Sequence, residues 1–365
     1  MDICFLCKQE NHLLLQSELS DFLPSIQFSQ THQKGFIIAH GMSKLPKFSL
    51  YQSDFIFEQQ RIVEPITLDM QESSLRKIAK IFVEQYFREI DQSILSWTIH
   101  SFYLQNDNNP NLSSLSKNTK KWILELVKER LPRAYKRYIE CSDSIGVSEN
   151  YHIVQFMILD SKKIVLAVNQ KNMGISVYEQ GISRMKWNKL APSRSFLKIE
   201  EAFWYMKQRP QHKEVIIDLG AAPGGWTYSA LSSGALVTAV DNGPIKLSLS
   251  SEMKKKITHL KQDGLSFIPK KPVDWLLCDM LIQPNQTLQT LDTWFQQRLM
   301  KYFVVNVKLP NASPMRIIQN AKTLLESAAL AWWKIKSLYH DRQEITLMGS
   351  FIHRVQKPDV QMIDT

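Results

Sequence analysis

The chain has 365 residues, 44% hydrophobic and 22% charged, which is enough apolar material for two or three packed cores. Its net charge of +10 favours an anionic partner, nucleic acid first, although a basic protein without such a partner has the same composition. The sequence shows no basic leader and no run of about 18 apolar residues. We therefore expect a soluble, cytoplasmic protein, a monomer or weak dimer, with no membrane partner.

The cysteines, Cys4, Cys7, Cys141 and Cys278, are too few for a disulfide scaffold. Cys4 and Cys7 form a C-x-x-C pair inside the apolar run of residues 3–7, and no second pair follows at zinc spacing. A buried strand is the better interpretation of this pair, and we predict no metal site.

The first half of the chain is predicted to hold two α+β domains. Residues 1–62 form the smaller one, with strands at Ile3–Cys7, Gly35–Ala39 and Phe55–Phe57 and a helix over Leu13–Leu23. Residues 63–178 form the second. Its expected elements are a helix over Leu75–Ile90, a strand over Ser96–Leu104, a polar loop over 105–111, a helix over Lys117–Leu131, and paired strands at Tyr151–Leu159 and Ile164–Val168.

The helix predicted over Lys117–Leu131 has one apolar face and basic residues elsewhere. Those basic residues, together with the ones that follow the helix, are Lys117, Lys120, Lys121, Lys128, Arg130, Arg133, Lys136 and Arg137. Further cations, Arg184, Lys186 and Lys189, lie in the predicted linker of residues 179–190. They suit contacts to RNA phosphates, but a solvated helix face has the same composition.

Residues 191–365 are predicted to form an α/β domain of the doubly wound parallel type, because apolar strands alternate with helical segments. The strands are expected near 215–219, 236–240, 273–278, 302–307 and 345–352.

A glycine-rich loop follows the first of these strands. The strand carries Asp218, and Trp226 begins the next helical segment. Small or cyclic residues lie between them: Gly220, Ala222, Pro223, Gly224 and Gly225. A strand, a tight loop and a helix start form the place where open α/β sheets bind nucleotide-like ligands. Pro223 removes a backbone donor that a pyrophosphate would need, so we predict a phosphate-free ligand with amino-acid and nucleoside ends, S-adenosylmethionine.

Three acidic residues follow later strands of this domain. Asp241 suits the ribose hydroxyls of that ligand, and Asp263 suits the adenine amino group. Asp279 ends the apolar strand of residues 275–278. Each acid alone is more typical of a helix cap or a turn, but three at successive strand ends favour a ligand site.

Lys308 ends the apolar strand of residues 302–307, where a lysine either extends to solvent or points into the ligand crevice. We expect burial and a second cation to lower its pKa, so that the neutral amine can serve as a general base. Glu344 precedes the last strand, and Lys198 lies on an amphipathic segment ahead of the glycine loop.

Residues 191–365 resemble the FtsJ-type ribose 2′-O-methyltransferases, whose cofactor loop closely matches residues 218–226. That family uses a Lys-Asp-Lys-Glu tetrad, and the resemblance places it on Lys198, Asp279, Lys308 and Glu344. It implies a Rossmann-like domain and in-line methyl transfer to a ribose 2′-oxygen, with Lys308 as proton acceptor. The implied cofactor contacts are Ser195, Asp218, Gly220, Ala222, Pro223, Gly224, Gly225, Trp226, Asp241, Asp263 and Asp279.

Within the family, residues 195–203, 240–244 and 338–342 resemble members that methylate a cytidine ribose in large-subunit (23S) ribosomal RNA. Residues 1–178 resemble the N-terminal domain and THUMP RNA-binding domain of those members in length and element order. The resemblance implies 23S rRNA or a precursor particle as the partner. A tRNA or another rRNA ribose is the alternative substrate, and a non-catalytic RNA-binding ribosome assembly factor is the alternative class of protein.

Overall fold

A computed structural model describes residues 1–29, 34–42, 55–69, 75–104, 112–140, 151–159, 163–170, 175–176, 178–182 and 185–353. They divide into two compact units, one up to residue 182 and one from residue 183 onward. The finer division of the first unit at residue 62 stays a prediction. Among the described residues, no helix combines the length and the apolar character needed to cross a bilayer.

The first sheet of the N-terminal unit is antiparallel, in the order β2-β3-β1-β4. Its elements are β1 (Ile3–Leu6), α1 (His12–Phe22), β2 (Gln27–Ser29), β3 (Phe36–His40) and β4 (Gln60–Val63). Cys4 and Leu6 on the inner strand β1 are buried against Phe36 and Ile62. The pair Cys4 and Cys7 therefore lies in and after a buried strand, as predicted.

The predicted strand at Phe55–Phe57 is wrong. These residues form bends, because the backbone amides of Ile56 and Phe57 donate to the carboxylate of Glu18 on α1, at 2.7 and 3.3 Å, instead of to a neighbouring strand. A short apolar run does not reveal where its backbone hydrogen bonds go.

The second sheet of this unit has the order β5-β8-β7-β6, with helices packed on one face through a core that contains Phe82, Trp97 and Val127. Its elements are β5 (Ile66–Asp69), α2 (Leu75–Tyr86), α3 (Arg88–Gln92), β6 (Ser96–Tyr103), α4 (Leu112–Arg130), α5 (Pro132–Tyr135), β7 (Tyr151–Ile158) and β8 (Lys163–Gln170). The helix predicted over Leu75–Ile90 is two helices, α2 and α3, which meet at the buried Phe87. The predicted loop over 105–111 lies outside the described residues.

The C-terminal unit is built on one seven-stranded sheet in the order β11-β10-β9-β12-β13-β15-β14. Its elements are α6 (Ser195–Met206), β9 (Val215–Leu219), α7 (Gly225–Ser232), β10 (Leu236–Val240), α8 (Ser251–Lys254), β11 (Ile257–Leu260), β12 (Val273–Cys278), α9 (Pro284–Gln296), β13 (Met300–Lys308), α10 (Pro314–Ser327), β14 (Trp332–Lys336) and β15 (Glu344–Ser350). This is the Rossmann-like sheet that the strand and helix alternation predicted.

The sheet departs from the predicted parallel type at one strand. β15 runs antiparallel to both of its neighbours, β13 and β14. Residues 337–343 connect β14 to β15, and a connection of that length joins antiparallel neighbours, since parallel ones need a longer crossover. The sequence interpretation also missed β14, an edge strand whose first residues are only half-buried.

Aromatic packing fixes α6 against the middle of this sheet. Trp275 on β12 is fully buried and stacks on Tyr302 of β13, with ring centroids 4.6 Å apart. Phe203 of α6 meets the ring of Trp275 edge-on at 5.5 Å. The buried Trp275 and Phe203 each contribute about 1.5–3 kcal/mol by removing apolar surface from water. The packing sets α6 on the sheet and thereby fixes the position of its first turn, which carries Lys198.

Candidate active site

The loop between β9 and α7 requires glycine at two positions. Gly220 has a φ of 75°, and a Cβ there would lie 2.9 Å from the Met280 Cα. Gly224 has a φ of 119° and lies against Leu247. Positive φ and close approach together exclude side chains with a Cβ. The loop at the carboxyl end of β9 therefore carries no side chain at positions 220 and 224, and neighbouring groups can approach its backbone closely.

Asp241 is the acid that the structure ties most closely to this loop. One carboxylate oxygen accepts from the Ala222 amide at 3.0 Å, and the other accepts from the Gly243 amide at 2.6 Å. The side chain stays half-buried at the end of β10. Asp241 thus holds the loop and keeps free lone pairs, because a carboxylate can accept more than two hydrogen bonds.

Asp218 is completely buried beneath the same loop. Its Oδ2 accepts from the Thr227 hydroxyl at 2.5 Å, and its Oδ1 has no hydrogen-bond partner among the described residues. Burial raises the pKa of Asp218 to about 7, and the nearby Asp279 and Asp241 add to the rise. The carboxyl joins β9 to α7, and its contact with the cofactor stays a prediction.

Helices α6 and α7 meet at their first turns, where Ser195 and Trp226 connect them. The indole Nε1 of Trp226 donates to the Ser195 carbonyl at 3.0 Å. A Cβ on Gly225 would lie 3.0 Å from the Phe196 amide, so this helix start also needs glycine for close approach. The contact joins the segment that carries Lys198 to the glycine loop.

Asp263 lies away from the buried part of the site. Its side chain is exposed and accepts from the Leu265 amide at 3.0 Å, which makes it the cap of the short 3-10 helix Gly264–Ser266. The cap was the alternative interpretation of this acid. Its contact with an adenine amino group stays a prediction.

Four residues predicted from separate parts of the sequence meet at the carboxyl edge of β12 and β13. Asp279 follows β12, and Lys308 ends β13. The antiparallel register pairs Lys308 with Glu344, the first residue of β15. Lys198 reaches them from the first turn of α6. The reversed direction of β15 is what brings Glu344 to this edge.

The four side chains form a closed ring of ion pairs. The Lys308 Nζ lies 3.1 Å from Asp279 Oδ1 and also contacts Glu344 Oε2. The Lys198 Nζ lies 3.7 Å from Asp279 Oδ2 and contacts Glu344 Oε1. The side chain of Glu344 is 3% exposed and that of Lys308 is 25% exposed. The ring is therefore buried on the Glu344 side and reachable from solvent at Lys308.

The expected direction of the Lys308 pKa is wrong. Burial does act to lower it, but the charges of Asp279 and Glu344 outweigh burial and raise the pKa of Lys308 above its ordinary value. The sequence interpretation counted burial and the second lysine and left out the two carboxylates. Lys308 therefore carries a proton at neutral pH.

The same ring shifts the pKa of Glu344 downward. Burial acts to raise its pKa, but Lys198 and Lys308 outweigh burial and hold the pKa of Glu344 below its ordinary value. Glu344 is thus an anion at neutral pH. Arg342 adds a backbone amide to Glu344 Oε1 at 3.3 Å.

Residues that the sequence interpretation missed lie behind this ring. Asn306 Nδ2 donates to Asp279 Oδ1 at 3.2 Å, and the Thr346 hydroxyl contacts Asn306 Oδ1 at 2.5 Å. Both are fully buried. Asn306 is two residues before Lys308, and Thr346 is two residues after Glu344, so each shares a strand face with its neighbour in the ring. A polar residue at that spacing in an apolar strand was the available signal.

Glu201 anchors the segment that leads to Glu344. It lies one helical turn after Lys198, and its two carboxylate oxygens accept from the backbone amides of Tyr339 and His340, at 2.8 and 3.1 Å. Its side chain is buried. The same helix turn therefore presents Lys198 and holds the connection between β14 and β15.

The half of the chain that carries this site is similar in sequence to known proteins. Residues 191–325 match the model of the FtsJ-like methyltransferase family. "Ribosomal RNA large subunit methyltransferase M" of Pseudomonas putida (strain W619) is 37% identical over 199 residues, which are 52% of this chain and 55% of that protein. The protein of the same name from Pseudomonas fluorescens (strain SBW25) is 39% identical over 182 residues, 47% of this chain and 50% of that protein.

The alignments thus cover about half the length of these curated relatives. Among solved structures, TrmN from Thermus thermophilus aligns over 96% of this chain and 99% of its own, with a TM-score of 0.35 and 13% identity. The family match contains Lys198, the glycine loop, Asp279 and Lys308, and Glu344 lies just beyond it. Residues 191–325 therefore form an FtsJ-like methyltransferase domain.

Proposed function

We propose that this chain is an S-adenosylmethionine-dependent methyltransferase that methylates the 2′-oxygen of a cytidine ribose in large-subunit (23S) ribosomal RNA. The observation that carries the proposal is the ring of Lys198, Asp279, Lys308 and Glu344 beside a glycine loop. The names of the relatives, ribosomal RNA large subunit methyltransferase M, support the rRNA substrate. A cytoplasmic location follows from that substrate.

The residues at the carboxyl edge of the sheet fit the proposed cofactor. Positions 220 and 224 leave no room for a Cβ, and the half-buried Asp241 keeps acceptor capacity for sugar hydroxyls. Pro223 gives the loop no amide at the place where a pyrophosphate would need one. When bound, S-adenosylmethionine supplies an electrophilic methyl group.

The ring suits a hydroxyl acceptor because a ribose hydroxyl must lose its proton as it becomes a nucleophile. We assign that proton to the Lys308 amine, the most exposed lysine of the ring. Lys198 stabilises the developing negative charge on the 2′-oxygen. Asp279 and Glu344 orient both lysines and balance their charge. Holding the oxygen in position before reaction removes much of the entropic part of the barrier.

Replacing the proposed base tests the function. Lys308→Ala should lower methyl transfer to RNA by about 10²–10⁴-fold, the range for loss of a general base, while cofactor affinity stays close to that of the wild type. Transfer is measured with methyl-labelled cofactor, and affinity by calorimetry. Lys301→Ala is the matched control, since Lys301 lies on the same strand but pairs with Asp274 instead of the ring. Equal transfer by Lys308→Ala and the wild type would refute the assignment.

The raised pKa of Lys308 gives a pH dependence with a definite sign. The neutral amine is the minor form at neutral pH. As long as the pH is below the pKa, the neutral fraction increases about tenfold for each unit by which the pH rises. We expect kcat/KM for RNA to rise by roughly 100-fold from about pH 7 to about pH 9. Cofactor affinity, measured in the same buffers, should stay nearly constant. A flat or falling profile would contradict a lysine base.

RNA binding is proposed to involve the basic face of α4. Lys117 and Lys128 are exposed, and Lys128 lies over the ring of Tyr135 at 5.7 Å. Lys120 and Lys121 face Glu140 and Glu125, at 3.2 and 3.9 Å, so part of the positive charge there is already balanced. The predicted contribution of Arg184 lies outside the described residues.

Neutralising two of these lysines tests the proposed RNA surface. Lys117→Gln combined with Lys128→Gln should weaken RNA binding and reduce the slope of log affinity against log salt by roughly 1.5, because two phosphate contacts are lost. The control pair is Lys270→Gln with Lys271→Gln, which removes the same charge from an exposed loop of the other unit. An unchanged slope in the first pair, or an equal change in both, would count against this surface.

A further inference from the structure

The buried side of the ion-pair ring continues into a chain of hydrogen bonds. We propose that Asp341, Thr346 and Asn306 form a chain of fixed direction that holds the Asp279 carboxylate between the two lysines. They are then positioning residues for the methyl transfer, and their catalytic effect rests on the function proposed above.

The chain is continuous and inaccessible to water. Asn306 Nδ2 lies 3.2 Å from Asp279 Oδ1, and Thr346 Oγ1 lies 2.5 Å from Asn306 Oδ1 and 2.9 Å from Asp341 Oδ2. Asp341 is 4% exposed, and Asn306 and Thr346 are fully buried. Asp341 is itself held in place, because its Oδ2 accepts from the Leu338 amide at 2.9 Å. Solvent therefore cannot replace any member of the chain.

Counting protons gives the chain its direction. A threonine hydroxyl has one proton, yet Thr346 Oγ1 is within hydrogen-bond distance of oxygens on both Asn306 and Asp341. One of those contacts must be donated to Thr346. A carbonyl oxygen has no proton to give, so a protonated Asp341 carboxyl is the donor. Burial and the carboxylates of Glu344 and Glu201 raise the pKa of Asp341 well above its ordinary value, which agrees with a neutral acid.

A chain of hydrogen bonds donated in the opposite direction would place two acceptor oxygens against each other at Asp279. If Thr346 donated to an ionised Asp341, the Asn306 amide would have to turn so that its nitrogen faced Thr346. Its carbonyl oxygen would then lie against Asp279 Oδ1, at the 3.2 Å now occupied by the donating nitrogen. Two acceptors at that distance repel each other, and the cost is high where both Asn306 and Thr346 are fully buried. The observed contacts therefore favour a chain that starts at neutral Asp341 and ends on the Asp279 anion.

The direction matters for the ring because Asp279 contacts both lysines, as Glu344 does, but its side chain is 15% exposed whereas that of Glu344 is 3% exposed. A hydrogen bond from Asn306 limits rotation of this carboxylate. Without that bond Asp279 can turn away from Lys308, and the amine loses its alignment with the substrate hydroxyl. Loss of alignment lowers the rate of the chemical step and leaves ligand binding intact.

Replacement of Thr346 tests the chain. Thr346→Val keeps the shape and removes the hydroxyl, so kcat should fall at least about tenfold, with KM for RNA and cofactor affinity unchanged. Thr346→Ser restores the hydroxyl and should return kcat to within about threefold of the wild type. Thr287→Val, at a buried threonine on α9, controls for the general cost of the change. Equal kcat in Thr346→Val and wild type, or equal loss in the valine and serine variants, would overturn the proposal.

A second measurement keeps this test separate from the proposed function. In protein labelled with ¹³C at aspartate carboxyls, Asp341 at about pH 7 should give the chemical shift of a protonated acid, with Asp341→Asn used for assignment. A carboxylate shift would overturn the direction of the chain whether or not the protein methylates RNA. An inactive wild type with a protonated Asp341 would refute the function and retain the hydrogen-bond chain.

Discussion

The rest of the site depends on one interaction, the mutual neutralisation of two lysines and two carboxylates. It lies where β12 and β13 end and β15 begins. A buried lysine without a partner would lose its proton or destabilise the unit by several kcal/mol. Here Lys198 and Lys308 each contact both Asp279 and Glu344, so no charge of the ring stands alone. The ring also depends on strand direction. Because β15 is antiparallel to β13, its first residue, Glu344, lies opposite Lys308, the last residue of β13.

The same neutralisation determines the resting state of the proposed base. The carboxylates that stabilise the half-buried Lys308 also raise its pKa and keep it protonated. A lysine base near neutral pH therefore operates from a small neutral fraction, and alignment of its amine with the substrate hydroxyl can compensate for that small fraction. The rate then depends on the groups that orient Asp279 and Glu344, which include the buried polar side chains of Asn306 and Thr346.

Much of the C-terminal site was predictable from the sequence, because its parts are local. The glycine loop, the acids after β10 and β12 and the lysine at the end of β13 each break an apolar pattern at a strand end. The convergence of Lys198, Asp279, Lys308 and Glu344 required the resemblance to a family, since separations along the chain do not give distances. The direction of the Lys308 pKa was missed because it depends on carboxylates brought in by other elements.

The remaining errors have the same origin. Phe55–Phe57 has the composition of a strand, but the Glu18 carboxylate takes up its backbone amides. Nothing in the order of residues marks β15 as antiparallel except the short connection from β14. Asn306 and Thr346 lie two positions from ring members, yet only the assembled sheet shows that their side chains meet.

The nature of the methylated product tests the central claim most directly. Purified protein is incubated with large-subunit rRNA and methyl-labelled S-adenosylmethionine, and the RNA is digested to nucleosides and separated. A hydroxyl acceptor activated by Lys308 predicts that the label appears in 2′-O-methylcytidine. Label in a methylated base, or RNA without label after incubation with active cofactor, would contradict it.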